Sequence, residues 1–142
     1  MMKRILAFDV GDRRIGVAVS DALGITAQPV ETYHRKGGAE KDAEYLLALA
    51  KRYAPCTLLF GLPRNMDGTY GEQAEKVKKF AQRLIDRWDG DYAFYDARLT
   101  TMAAQRVLID ADISREKRKQ VIDKMAAVVI LQGYMESHRN RL

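Results

Sequence analysis

Three aspartates are the residues of this sequence whose placement most favours chemistry: Asp9, Asp96 and Asp123. Each belongs to a different predicted element and stands near the end of a buried stretch, where an unpaired charge is costly. If the three converge, they present a cluster of carboxylate oxygens, the ligands that Mg²⁺ or Mn²⁺ prefer. Such ions activate water and stabilise the oxygens of an in-line phosphoryl displacement. The resulting hypothesis is a divalent-metal site that hydrolyses phosphodiester bonds.

Asp9 ends the first predicted strand. The apolar run Ile5–Phe8 before it is typical of a strand covered on both faces. Gly11 and Asp12 suit a tight turn. Bulky and small residues then alternate over 15–20, as in a second strand. A turn-capping role is the structural alternative for Asp9. Asp96 stands at the same kind of position, where the predicted strand 92–95 gives way to a loop.

Asp123 lies on the last predicted helix, which runs from about Ser114 to about Ser137. It shares a helical face with apolar residues three, four, seven and eleven positions further on: Ala126, Ala127, Ile130 and Tyr134. Because that stripe is expected to pack on a sheet, Asp123 is expected to point inward. The alternative is a salt bridge with a neighbouring lysine or arginine, since unpaired buried acids are rare.

The elements that position these acids follow in an order that predicts an α/β fold. After the opening hairpin we expect a strand at 25–33, with Gln28 and Pro29 indicating an edge or a bulge. Helical spacing then predicts a helix at 40–53, and Pro55 stops it. The rest is predicted as a strand at 57–60, a helix from a capping box at Thr69 to about 88, the strand at 92–95, a helix to about 109 and the last helix. Alternating strands and helices demand parallel neighbours, whereas the opening meander is antiparallel. The prediction is one domain over 1–142, a mixed five-stranded sheet with helices on both faces.

The charge of the chain favours a polyanionic partner. The net charge is +5 and the isoelectric point about 9.4, which fits nucleic acid, although plain solubility is the alternative. The single cysteine, Cys56, permits no internal disulfide, and the two histidines lack metal-ligand spacing. With no apolar run long enough to cross a bilayer or to serve as a signal peptide, we expect a cytoplasmic protein. The candidate nucleic-acid-binding residues are Arg13, Arg14, Arg64, Asn65, Arg98, Arg115, Lys117, Arg118 and Lys119. The cations among them are expected to contact phosphates, and for Asn65 a structural role in a turn is the alternative.

Four segments in a fixed order resemble one family. They are FDVGDRRIGVAVSD, GLPRNMDGT, the DxRLTT segment around Asp96, and KRKQVIDKMAAVVILQGY. They are similar to the YqgF (RuvX) family, which is related to the RuvC-type Holliday junction resolvases and has the ribonuclease H fold. The resemblance implies a bacterial cytoplasmic nuclease of ribosome biogenesis, acting on the 5′ end of the 16S rRNA precursor, with a role on Holliday junctions also proposed for the family. By motif match, Asp9 and Asp123 take the places of metal-binding acids.

One position departs from the family pattern. The family has Asp-Glu-Arg where this chain has Asp96-Ala97-Arg98, so its middle acidic ligand is missing. Alternation sends adjacent strand residues to opposite faces, so Asp96 can replace that ligand only if the strand end twists or bulges. Nearby-loop candidates to compensate are Asp12, Asp21 and Asp67, for each of which a turn role is the alternative.

The leading interpretation is a metal-dependent nuclease for structured RNA, acting as a monomer or weak homodimer. A non-enzymatic alternative is an RNA-binding or ribosome-assembly factor. Ala97 favours this alternative, whereas the two acids expected to point inward, Asp9 and Asp123, count against it. A Holliday junction resolvase is a further alternative. An actin-like ATPase domain would also open on an Asp-x-Gly strand, but its phosphate site lies between two such domains and 142 residues supply one.

Overall fold

The computed structural model describes residues 3–63, 67–96 and 115–139, with side chains in the last range described from 125 to 137. The strands in these ranges are β1 (Arg4–Val10), β2 (Arg14–Ser20), β3 (Ala27–His34), β4 (Cys56–Leu62) and β5 (Tyr92–Asp96). The helices are α1 (Ala39–Arg52), α2 (Glu72–Ile85) and α3 (Arg115–Arg139). None of these helices is both long and apolar enough to span a membrane.

The five strands form one mixed sheet in the order β3-β2-β1-β4-β5. β1 pairs antiparallel with β2 and parallel with β4, and β5 extends the parallel part beyond β4. The predicted mixed five-stranded sheet is therefore confirmed. Because β1, β4 and β5 are parallel, their carboxyl ends lie at one edge of the sheet, together with the turn that joins β1 to β2.

Two apolar layers cover the sheet. Phe8 and Phe60 belong to the core beneath α1 and α2, with ring centroids 5.5 Å apart. Ala7 and Leu59, the neighbours of those residues along the strands, belong to the core beneath α3. This alternation assigns each residue of a central strand to one helical layer or the other.

The predicted edge character of β3 is confirmed. β3 is the outermost strand, and its register with β2 shifts between Val17, opposite Glu31, and Ala18, opposite Pro29. Proline has no N–H to donate to a ladder, so an edge with an irregular register accommodates it.

The predicted capping box at Thr69 is wrong. α2 begins at Glu72 with Gly71 as its N-cap, and no side chain caps it. The Thr69 hydroxyl instead donates to Asp67 Oδ1 at 2.6 Å, and the Thr69 N–H donates to the same oxygen at 3.0 Å. The Thr69 side chain, which the sequence pattern predicted to cap α2, therefore stabilises a turn within the loop. α2 also ends at Ile85, three residues before the predicted end. The predicted helix ending near Ile109 and the Ser114 cap lie outside the described residues.

Candidate active site

Asp9 lies next to the carboxyl end of β1, opposite Gly16 in the register with β2. It is half-buried. Phe8 and Val10 on either side belong to the core beneath α1 and α2, whereas Ala7 belongs to the core beneath α3. Strand alternation therefore assigns Asp9 to the α3 face of the sheet.

Asp123 lies on the helix that covers this same face. α3 packs across β1, β2 and β3. Ala126, Ala127 and Ile130, which were predicted to share a stripe with Asp123, are fully buried. The two alanines follow position 123 by three and four residues, so the backbone puts position 123 on the sheet-facing stripe. The side chain of Asp123 lies outside the described residues.

Asp96 is the last residue of β5, the edge strand next to β4. Tyr95 packs in the α3 layer, and the ring of Phe94 lies 5.6 Å from that of Phe60 in the opposite layer. The parallel register runs without a shift from Leu58 opposite Tyr92 to Leu62 opposite Asp96. Strand alternation thus assigns Asp96 to the α1 and α2 face, away from Asp9. Its role as a third ligand remains a prediction, and Ala97 lies outside the described residues.

An aspartate at position 9 and another at position 123, whose backbone lies on the helix covering the same face, are of the residue type that supplies the oxygen donors Mg²⁺ and Mn²⁺ prefer. Within the described ranges no group of three His, Cys, Asp or Glu side chains is placed to hold a metal ion. That Asp9 and Asp123 hold a metal ion remains a prediction.

Each of the three loop acids that could compensate has a structural partner. Asp21 Oδ1 accepts from the N–H of Ile25 at 2.7 Å and of Thr26 at 3.2 Å, and the first of these bonds is the main cause of a lowered Asp21 pKa. Asp67 binds Thr69, whose hydroxyl is the main cause of a lowered Asp67 pKa. Asp12 lies 3.6 Å from Lys76 Nζ in an exposed ion pair.

A buried acid that sequence reasoning missed lies at the start of α1. Asp42 is 1 % exposed. It accepts from the Tyr33 hydroxyl and from Arg35 Nε, each at 2.8 Å. The signal was available, because Asp42 precedes the buried residues Leu46 and Leu49 by four and seven positions. The same spacing singled out Asp123.

The predicted phosphate contacts fall into three groups. Arg13 lies in the turn between β1 and β2, and Arg14 begins β2 opposite His34. Arg115, Lys117, Arg118 and Lys119 lie on the first turns of α3, and their side chains are outside the described residues. Arg64, Asn65 and Arg98 lie wholly outside them.

Comparisons with known proteins agree with this architecture. The RuvX family, described as Holliday junction resolvase, matches residues 3–137. Curated relatives named as candidate pre-16S rRNA nucleases include one from Clostridium novyi, 51 % identical over 94 % of this chain and 98 % of its own. Another, from Clostridioides difficile, is 52 % identical over 94 % of each chain.

Among solved structures, Thermus thermophilus RuvC in complex with a Holliday junction substrate matches with a TM-score of 0.56. The identity is 14 %, and the match covers 96 % of each chain. At this identity the likeness shows the fold alone, which is that of the ribonuclease H-like RuvC proteins. The family match over nearly the whole chain and the relatives near 50 % identity establish that this chain belongs to the RuvX family.

Proposed function

We propose that this chain is a metal-dependent nuclease that hydrolyses phosphodiester bonds in structured RNA, with the 5′ end of a 16S rRNA precursor as its substrate. The observation that carries the proposal is the placement of Asp9 at the carboxyl end of β1, on the sheet face that α3 covers. By the motif match with the RuvX family, Asp9 takes the position of a metal-binding acid. The names of the relatives support the choice of rRNA precursor, and a cytoplasmic location is part of the same proposal.

In the proposed mechanism, Asp9 and Asp123 would hold Mg²⁺ or Mn²⁺, for which carboxylates are suitable ligands. When bound there, the ion would supply an activated water and charge stabilisation for an in-line displacement at phosphorus. Arg13 and Arg14, one turn beyond Asp9, contact phosphates and set the register of the substrate without reading its sequence. Asp96 would join the ligands only after a change at the end of β5, because alternation assigns it to the opposite face.

Two alternatives have observations in their favour. The placement of Asp96 away from Asp9 favours a weak or non-catalytic RNA-binding factor of ribosome assembly. The description of the family and the RuvC complex with a Holliday junction favour a junction resolvase. A resolvase that cuts two strands would act as a dimer, whereas an RNA nuclease can act as a monomer or a weak homodimer.

The deciding experiment incubates purified protein with 16S rRNA precursor and with a four-way DNA junction, in Mn²⁺, Mg²⁺ or EDTA. Asp9→Asn and Asp123→Asn are the test variants. Asp91→Asn is the matched control, because Asp91 forms an exposed ion pair with Lys3 at 2.8 Å, away from the proposed site. Metal-dependent RNA cleavage that Asp91→Asn keeps and both test variants lose supports the proposal.

Other outcomes separate the alternatives. Cleavage of the junction alone favours the resolvase, and RNA binding without cleavage in any metal overturns the nuclease proposal for the natural sequence. Ala97→Glu restores the family residue, and a gain of cleavage in that variant alone would show that the missing carboxylate limits the natural chain.

A further inference from the structure

A cleft of about 470 Å³ opens beside the turn that follows Asp9. Its walls are the β1–β2 turn, the start of α1 and one side of α2. Five cationic side chains line it, and we call this set the basic cleft: Arg13, Arg35, Lys76, Lys79 and Arg83. The predicted phosphate contacts include only the first of these five residues, because the others come from two further segments, the loop after β3 and α2, that the fold brings beside the turn.

Positive charge exceeds negative charge in the basic cleft. Among the described residues of its lining, the carboxylates are Asp12 and Asp42, so the five cations exceed them by three. Both carboxylates are already engaged, Asp42 by Arg35 at 2.8 Å and Asp12 by Lys76 at 3.6 Å. Excess charge in a concave, partly desolvated surface concentrates anions there.

Two of the five cations are available for an anionic ligand. Arg83 is paired with Glu40 at 2.9 Å, and Arg35 is held by Asp42. Arg13 and Lys79, by contrast, form no ion pair with any carboxylate in the described part of the chain. Lys79 is exposed on α2, and Arg13 is exposed in the turn.

The floor of the cleft is held in place before any ligand arrives. The Arg35 guanidinium lies 4.9 Å from the centroid of the Phe80 ring, and its Nη1 donates to the Gly11 carbonyl at 2.9 Å. Gly37 and Gly38 form the rim with φ angles of 108° and 134°, and a Cβ at either would meet no atom within 4 Å. The rim therefore leaves the peptide backbone open to a ligand.

The cleft adjoins the proposed catalytic site across the thickness of one strand. Val10 lines the cleft, whereas alternation assigns Asp9 to the α3 face. Successive strand residues are about 3.3 Å apart along the chain. A polyanionic strand that rounds this end of β1 can reach both sites.

We propose that the basic cleft binds the phosphodiester backbone of the substrate RNA on the strand that continues beyond the cleavage site. This inference rests on the proposed nuclease function. A strand backbone suits the cleft better than a single nucleotide does, because base recognition uses exposed aromatic faces. Among the lining residues that the structure describes, Phe80 is the one with an aromatic ring, and it is 4 % exposed and lies beneath Arg35.

The test compares two neighbouring lysines of α2. Lys79 lines the cleft, whereas Lys78 lies 3.7 Å from Glu75 and over the Tyr70 ring, outside the cleft. Binding of a fluorescent single-stranded RNA is measured by anisotropy in EDTA over a range of salt concentrations. We expect Lys79→Ala to weaken binding several-fold and to lower the slope of log affinity against log salt by about 0.7 for one lost phosphate contact. Lys78→Ala is expected to bind as the natural protein does.

Arg13→Ala combined with Lys79→Ala should lose more affinity than Lys79→Ala alone. Unchanged urea midpoints will establish that the exposed substitutions act on binding. Equal affinities of Lys79→Ala and Lys78→Ala would overturn the proposal. So would a mononucleotide that competes as well as a twelve-nucleotide RNA, because that result identifies a nucleotide pocket.

The binding assay and the cleavage assay fail independently. If Lys79→Ala loses RNA affinity and the natural protein does not cleave, the proposal for the cleft stands and the nuclease proposal is wrong. If cleavage depends on Asp9 and Lys79→Ala binds RNA with full affinity, the nuclease proposal stands and the proposal for the cleft is wrong.

Discussion

Gly133 of α3 and Tyr95 of β5 meet so closely that a Cβ added at Gly133 would lie 2.5 Å from the Tyr95 hydroxyl oxygen and 2.9 Å from its Cζ. Tyr95 also meets the ring of Tyr134 edge-on, with centroids 6.4 Å apart. The absence of a side chain at position 133 therefore allows α3 to approach the end of β5 where Asp96 lies.

Gly133→Ala should accordingly destabilise the protein by about 1–3 kcal/mol, the usual cost of overpacking, despite the better helix propensity of alanine. Urea unfolding provides the measurement. Gln132→Ala, at an exposed neighbouring position, controls for propensity. Tyr95→Phe removes the hydroxyl oxygen, which is the atom nearest to the added Cβ. The double variant Gly133→Ala with Tyr95→Phe should therefore recover part of the lost free energy of unfolding. Strictly additive effects of the two substitutions would contradict the contact.

Asp42→Ala should lower the free energy of unfolding by about 3 kcal/mol, because it leaves the partly buried charge of Arg35 without its partner. It also removes the acceptor of the Tyr33 hydroxyl. Glu31→Ala is the comparison, since it removes only the surface hydrogen bond with Tyr45 and should cost less than about 1 kcal/mol. Equal losses in the two variants would show that the buried pair adds nothing particular.

The hydrogen bond between Tyr33 and Asp42 also predicts a pH effect at Tyr33. Burial, followed by the hydrogen bond to Asp42, raises the pKa of Tyr33 to about 12 from an ordinary value of 10.0. The folded state thus holds this proton more tightly, so the stability contributed by Tyr33 is complete below pH 10 and is lost as the pH rises towards 12. The difference in phenolate absorbance between the natural protein and Tyr33→Phe will measure the pKa, and a midpoint near 10 would contradict the prediction.

Cys56 should resist thiol reagents in the folded protein. It is 3 % exposed, and burial raises the pKa of its thiol to about 11, so little thiolate exists at neutral pH. We expect labelling by a disulfide reagent only after urea unfolding. Because the sequence has one cysteine, the signal reports this site, and labelling at the rate of a free thiol in native buffer would contradict the burial.

The two strand acids should differ in their contribution to metal binding. Asp9→Asn should lower the affinity for Mn²⁺ by roughly tenfold or more, the size of effect known for residues that support metal sites. Asp96→Asn should change it less, because alternation assigns Asp96 to the other face. Calorimetric titration of both variants at one pH measures the difference, and a larger loss in Asp96→Asn would show that the end of β5 turns over when metal binds.

Sequence reasoning succeeded where one pattern determined one outcome. The run Ile5–Phe8 and the alternation after it gave the central hairpin, and the helical stripe gave the buried face of α3. It failed where two partners competed for one group, since Thr69 binds Asp67 and leaves Gly71 to begin α2. It also missed the basic cleft, because Arg13, Arg35 and Lys79 meet only after the sheet and both helices have formed.

The register of β5 with β4 is continuous, so the face on which an acid at the end of β5 lies depends only on its position along the strand. One residue inserted between Tyr95 and Asp96 would leave positions 92–95 paired as they are and move the existing aspartate by one step. A one-step shift moves a strand side chain to the opposite face. An aspartate on the Asp9 face can therefore be gained by lengthening the chain by one residue at the end of β5, without replacing any side chain.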